Sequence, residues 1–178
     1  MFRAHYGTRG KDAGDGMVGY FLPQPDSNYL MNAVHCALAL KTAMARLSKA
    51  WQLRKHWDTE LYLNCGLNEG QEWLGAIHSA NCETFVVLGE IVNHTSHLSN
   101  LARFGRVWAT KNFISKIPTE ARKTLDFGIE RTNAHGQRNL VQSSYARVST
   151  LPNAASMHAS DVRDIAHLTV TEVRNIRH

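Results

Sequence analysis

The sequence is short of cysteine and proline and contains no long apolar run. Its three cysteines, Cys36, Cys65 and Cys82, lie far apart and are odd in number. No C-x-x-C pair occurs, so neither a disulfide framework nor a zinc site is indicated. No stretch approaches the roughly 18 apolar residues of a membrane-spanning helix. The first residues lack an apolar leader core, and the expected location is the cytoplasm. Acidic residues are the minority, 15 against 20 lysines and arginines, for a net charge of +5. That charge suits a polyanionic ligand, but the basic residues are scattered rather than gathered into a patch. The excess therefore reads first as a solvated surface, and no nucleic-acid partner is expected. Ten histidines are scattered too. His94 and His97 are three apart and could share a helix face, but with no third ligand they do not indicate a metal centre.

What is present has the length of one domain and, at 43% hydrophobic residues, enough apolar mass for a core. The chain is organised around Thr84 to His97. Phe85 to Leu88 read as a short buried strand, Gly89 ends it, and Ile91, Val92, Thr95, Leu98 and Leu101 follow at helical spacing. Upstream, residues 1–21 read as a hairpin turning at Lys11-Asp12-Ala13-Gly14-Asp15-Gly16, with Met17 to Leu22 as a strand stopped by Pro23 and Pro25. Such turns are common for steric reasons alone. Asp26 or Ser27 is expected to cap a long helix over about 27–54, with an apolar stripe from Leu30 to Trp51.

Leu61, Leu63 and Cys65 alternate with polar neighbours as a strand would, and Trp73 to Ile77 and Thr84 to Leu88 are two more strand candidates. Arg106 to Ala109 follow as a strand, Thr110 caps a short helix ended by Pro118, and a helical turn covers Glu120 to Leu125. Phe127 to Arg131 and Leu140 to Val148 form a closing pair of strands. From Pro152 the composition changes. The expected organisation is a core domain over 1–151 and a linker with a short helical tail over 152–178.

Val87-Leu88-Gly89-Glu90-Ile91-Val92-Asn93-His94-Thr95-Ser96-His97-Leu98 resembles the φ-φ-G-x-x-V-N-x-A-x-R-L run of the class III nucleotidyl cyclases. Lys11 to Asp15 matches the K-x-x-G-D hairpin that this family places upstream. Gly66-Leu67-Asn68-Glu69-Gly70 with Leu74-Gly75-Ala76-Ile77 follows its glycine-rich strand pair. The likeness spans about residues 5–150. It implies an α+β fold of ferredoxin-like type, a mixed and mostly antiparallel sheet flanked by helices, here without its N-terminal part. Helices 27–54 and about 90–103 are expected on one face of that sheet.

The resemblance also implies a function. Such domains cyclise ATP or GTP, the 3′-hydroxyl attacking the α-phosphate while pyrophosphate leaves. They act as homodimers or heterodimers with the site at the interface, and two Mg²⁺ or Mn²⁺ ions assist. By carry-over Lys11 reads the base and favours ATP, Thr84 is the second base-reading position, Asp15 is the second metal carboxylate, and Asn93 orients the ribose. Thr84 serves equally as a plain strand residue. His97 stands where the family has the arginine that stabilises the transition state. Comparable arginines elsewhere supply roughly 10³ to 10⁵ in rate, and a histidine lacks that permanent charge and fork of donors. The family's opening F-x-D-I-x-G-F-T strand, with the first metal aspartate, has no counterpart. The expectation is thus a cyclase domain weak or inactive as this polypeptide. The alternative is a catalytically dead relative that binds nucleotide or regulates a partner.

Overall fold

The computed structural model describes the backbone of residues 1–79, 82–133 and 136–177. It also describes the side chains there, except at positions 11, 13, 77, 79, 82–86, 88, 153 and 156. The elements, in order, are β1 (Thr8–Ala13), β2 (Gly16–Tyr20), α1 (Tyr29–Lys55), β3 (Cys65–Leu67), β4 (Trp73–Ser79), β5 (Cys82–Leu88) and α2 (Glu90–Leu101). They continue with β6 (Val107–Thr110), α3 (Lys111–Lys116), α4 (Thr119–Lys123), β7 (Leu125–Thr132), β8 (Arg138–Gln142), β9 (Ala146–Arg147), α5 (Ala159–Ile165) and β10 (Thr169–Ile176).

A mixed sheet of order β3-β6-β10-β7-β8, with β9 on the end of β10, forms the centre. Among the described residues only β3 and β6 run parallel; the other pairings are antiparallel. The two remaining hairpins, β1–β2 and β4–β5, each stand as a two-stranded sheet. The fold is therefore α+β with a mixed, mostly antiparallel sheet flanked by helices, as expected.

Strand alternation sends successive residues of β6 to opposite faces. Val107 and Ala109 join Leu30, Ala33, Val34 and Ala37 of α1 in one cluster. Trp108 joins Leu98 and Leu101 of α2 in the other. The two long helices consequently cover opposite faces of the sheet, which corrects the expectation of one shared face. α2 lies close on β3 at Gly66, where an added Cβ would collide with the Thr95 carbonyl oxygen and lie 2.9 Å from the Ser99 nitrogen.

Asn28, rather than Asp26 or Ser27, caps α1: its Oδ1 accepts from the backbone N–H of Leu30 at 3.1 Å and of Met31 at 3.0 Å. Only the first half of the α1 stripe is covered, and Leu47 and Leu53 stay exposed. The alternation at Leu61 to Cys65 yields a strand only from Cys65 onward. The Leu61 N–H is given to Ser48 Oγ at 2.8 Å, tying this segment to α1 and not to a strand. The largest correction concerns the C-terminal segment. Residues 169–176 are not a helical tail outside the core: β10 lies between β6 and β7, with Val170 and Val173 fully buried.

Candidate functional site

The β1–β2 turn places Gly14 at φ 63°, a left-handed conformation that glycine adopts without a side-chain clash, and sets Asp15 beside it. Asp15 is exposed. Its neighbour Asp12 is committed to Arg9, whose Nη2 donates to the carboxylate at 2.6 Å and 2.8 Å. Lys11 lies in β1 and Thr84 in β5, but their side chains lie outside the described residues. β1 runs near β5, so the hairpin and the strand leading into α2 are neighbours.

α2 begins directly after β5. Gly89, its N-cap, has no side chain to satisfy the first N–H groups. Glu72, just before β4, takes that role: its Oε1 accepts from the Val92 N–H at 3.1 Å, putting a carboxylate at the positive end of the helix. A side chain at Gly89 would collide with that carboxylate. The α2 N-terminus is therefore already supplied with an anion by the protein. Nothing in the sequence pattern marked Glu72, because cap and helix are 20 residues apart.

Asn93 sits on the first turn of α2 and is exposed. His97, one turn on, points elsewhere. Its Nε2 lies 3.4 Å from Asp164 Oδ2 and its Nδ1 3.7 Å from Asp161 Oδ1, both on α5. The Nδ1 atom is buried and has no hydrogen-bond partner. His94 turns to a third place, its ring edge-on to His167 with centroids 5.7 Å apart. The structure thus leaves Asp15 and Asn93 open to solvent, and engages His97 with the C-terminal helix.

Among the described residues no group of three or more His, Cys, Asp or Glu could hold a metal ion. At the hairpin the only uncommitted carboxylate is Asp15, since Asp12 is paired. One oxygen ligand does not fit a two-metal centre. Among the described residues, no helix is long and apolar enough to cross a membrane.

A cavity of about 340 Å³ opens between β2, β3, α1 and α2. Among the described residues its only charged lining side chains are Glu69 and Glu72. Glu69 is bound by Lys116 Nζ at 2.5 Å and receives a hydrogen bond from Asn112 Nδ2 at 3.1 Å. With acidic groups alone, this cavity does not suit a polyphosphate.

The described fold has known counterparts. The crystal structure of the guanylyl cyclase Cya2 superimposes with a TM-score of 0.67 and 16% identity, covering 98% of this chain and 73% of that one. The crystal structure of the adenylyl cyclase CyaB from P. aeruginosa gives a TM-score of 0.65 and 16% identity, over 99% of this chain and 76% of that one. No family model matches the sequence, and no curated protein sequence matches it. The chain has the fold of class III cyclase catalytic domains over nearly its whole length.

Proposed function

We propose that this chain is a class III cyclase-fold domain that binds a purine nucleoside triphosphate, ATP before GTP, at Lys11, Thr84, Asp15 and Asn93. The observation that carries the reading is the placement of Asn93. It stands exposed on the first turn of α2, straight after β5, in a fold shared with two cyclases. An amide there offers a donor and an acceptor to a ribose. Asp15 contributes one oxygen ligand for a divalent ion carried in by the nucleotide. Dimerisation, with the nucleotide between the chains, belongs to the same proposal.

Turnover of ATP to the cyclic product is weak or nil in this polypeptide. Two observations favour a nucleotide-binding or regulatory module as the second reading. His97 is held between two α5 carboxylates instead of standing free beside Asn93, and the hairpin supplies a single open carboxylate. Calorimetry of the 178-residue chain with ATP and Mn²⁺ tests both readings. Saturable binding, lost in Asp15→Ala and reduced in Asn93→Ala, is the expected result. Equal affinity in both variants would remove these residues from any site. Binding without detectable cyclic product at saturating ATP would select the second reading.

A further inference from the structure

α1 is longer than the core it serves. Of its 27 residues, Leu30, Ala33, Val34, Cys36 and Ala37 are buried at the start, and Ser48 alone thereafter. Ser48 Oγ accepts the Leu61 N–H and ties that turn to the segment before β3. Around it Leu47, Trp51 and Leu53 stay exposed. His56 ends the helix in a left-handed conformation at φ 51°. Trp57, also exposed, comes back onto Trp51 with ring centroids 5.7 Å apart. Exposed apolar side chains gathered at one place mark a contact surface.

The charge at this end is of one sign. The charged residues of α1 are Lys41, Arg46, Lys49, Arg54 and Lys55, and the helix holds no aspartate or glutamate. The last four are exposed. Leu47, Trp51, Arg54 and Lys55 fall at i, i+4, i+7 and i+8, so they share a face. Lys55 Nζ lies 5.9 Å from the Trp51 ring centroid, so cation and indole occupy the same patch. The next acids in the chain, Asp58 and Glu60, come only after Trp57.

This composition selects the occupant. Protein interfaces are depleted in lysine and set cations against acids of the partner. Tryptophan beside lysine and arginine at an exposed helix end instead suits a bilayer interface. There the rings lie at headgroup level, and the long basic stems reach past them to lipid phosphate. Among the described residues no helix is long and apolar enough to cross a membrane, so the contact is with the surface.

We propose that the C-terminal end of α1, Leu47 to Trp57, docks this domain on an anionic lipid surface. Leu47, Trp51 and Trp57 enter the headgroup region, and Arg54 and Lys55 meet lipid charge. Arg46 and Lys49, elsewhere on the same turns, add to the attraction at low salt. The proposal stands on α1 and is independent of nucleotide binding.

The test uses the whole chain with vesicles of phosphatidylcholine, alone or mixed with phosphatidylserine. Flotation should show saturable binding to the mixed vesicles that weakens as salt is raised, and at least about tenfold weaker binding to phosphatidylcholine alone. Arg54→Gln with Lys55→Gln should weaken binding about 25-fold, each cation near the surface contributing about fivefold. Brominated acyl chains should quench tryptophan fluorescence in the parent and less in Trp51→Leu with Trp57→Leu, with far-UV circular dichroism confirming that both variants fold. No binding to the mixed vesicles, equal binding by the glutamine variant, or quenching that persists without the two indoles would overturn the proposal. So would capture of soluble polyglutamate in place of vesicles, which would assign the face to an acidic protein. Sedimentation as a dimer that the leucine variant returns to monomer would overturn it too, assigning the face to a second copy of this chain.

Discussion

His97 Nε2 lies 3.4 Å from Asp164 Oδ2, so the residue at the expected arginine position of α2 is spent on the contact between α2 and α5. Asp161 closes the ring's other side at 3.7 Å. A motif position read along a helix gives its angle on the axis; the neighbour that fills that angle comes from elsewhere in the chain.

Replacing both acids, Asp161→Asn with Asp164→Asn, should loosen α5 without touching the proposed nucleotide site. Asp164 is mostly exposed, so each pair is worth at most about 1 kcal/mol. Amides of residues 159–165 should exchange up to about fivefold faster by mass spectrometry. ATP affinity should stay within about twofold of the parent. A selective loss of ATP affinity would return His97 to the site.

Acid should act through Glu130. Its carboxylate accepts from Arg174 Nη2 at 2.5 Å and from Arg106 Nη2 at 3.3 Å. The hydrogen bond from Arg174, with the charges of both arginines, holds the carboxyl below the usual carboxylate range against the opposing effect of burial. A depressed folded-state value gives stability above the unfolded value of about 4.3 and removes it as pH falls through the folded value. The urea midpoint should therefore drop as pH falls below about 4.3. Glu130→Gln should be less stable at pH 7 and lose less on acidification. Parallel pH profiles in the two proteins would assign the acid sensitivity to other carboxylates.

Gly66→Ala should be destabilising because the new methyl meets backbone, which cannot rotate away. The Thr95 carbonyl and the Ser99 nitrogen both lie inside its contact distance. Overpacking of this kind costs about 1–3 kcal/mol, equivalent to a fall of about 2–4 °C in Tm per kcal/mol at this chain length. Differential scanning calorimetry checks it, and an unchanged Tm would mean that α2 can shift away from β3.

Cys65 should be slow to alkylate. Burial first, and then the nearby Cys36, push its thiol up to about 11. At pH 8 the thiolate is then about 10²-fold scarcer than for a free cysteine of reference value about 8.5. Iodoacetamide labelling followed by peptide mass spectrometry should show Cys65 modified only after unfolding.

Local chemistry made much of this fold readable. Gly14 and Thr110 mark a turn and a cap through side-chain size and reach, and Leu98 and Leu101 mark the buried face of α2 through spacing, whereas the α1 cap fell on Asn28 and not on the equally suitable Asp26 or Ser27 beside it. β10 was not readable for a physical reason. Thr169-Val170-Thr171-Glu172-Val173-Arg174 holds two charges that argue against a central strand, and their compensation is distant in sequence. Glu172 is buried and meets Arg106 Nη1 at 3.2 Å, while Arg174 meets Glu130. At the candidate site, Asp15 and Asn93 were marked only by the resemblance of their runs to the cyclase motifs; a glycine turn and a helix start do not by themselves single them out. The commitments of Glu72 to α2 and of His97 to α5 depend on tertiary packing and left no periodic trace.

The central place of β10 also bears on how the chain acquires its shape. Residues 169–176 are the last strand in chain order, yet β6, β7 and β9 all hydrogen-bond to them. Before they arrive, β6 and β7 have no shared neighbour, and Val107 and Phe127 lack the Val173 that joins them in one cluster. The backbone pairings within α1 and within the β1–β2 hairpin are local and can form as they emerge, while the buried face of α1 waits for Val107 and Val173. The sheet waits for pairings as distant as that of Val107 with Val173, 66 residues apart, and loop closure over that distance slows assembly. During synthesis β6 and β7 therefore stay unjoined until the strand between them is in place.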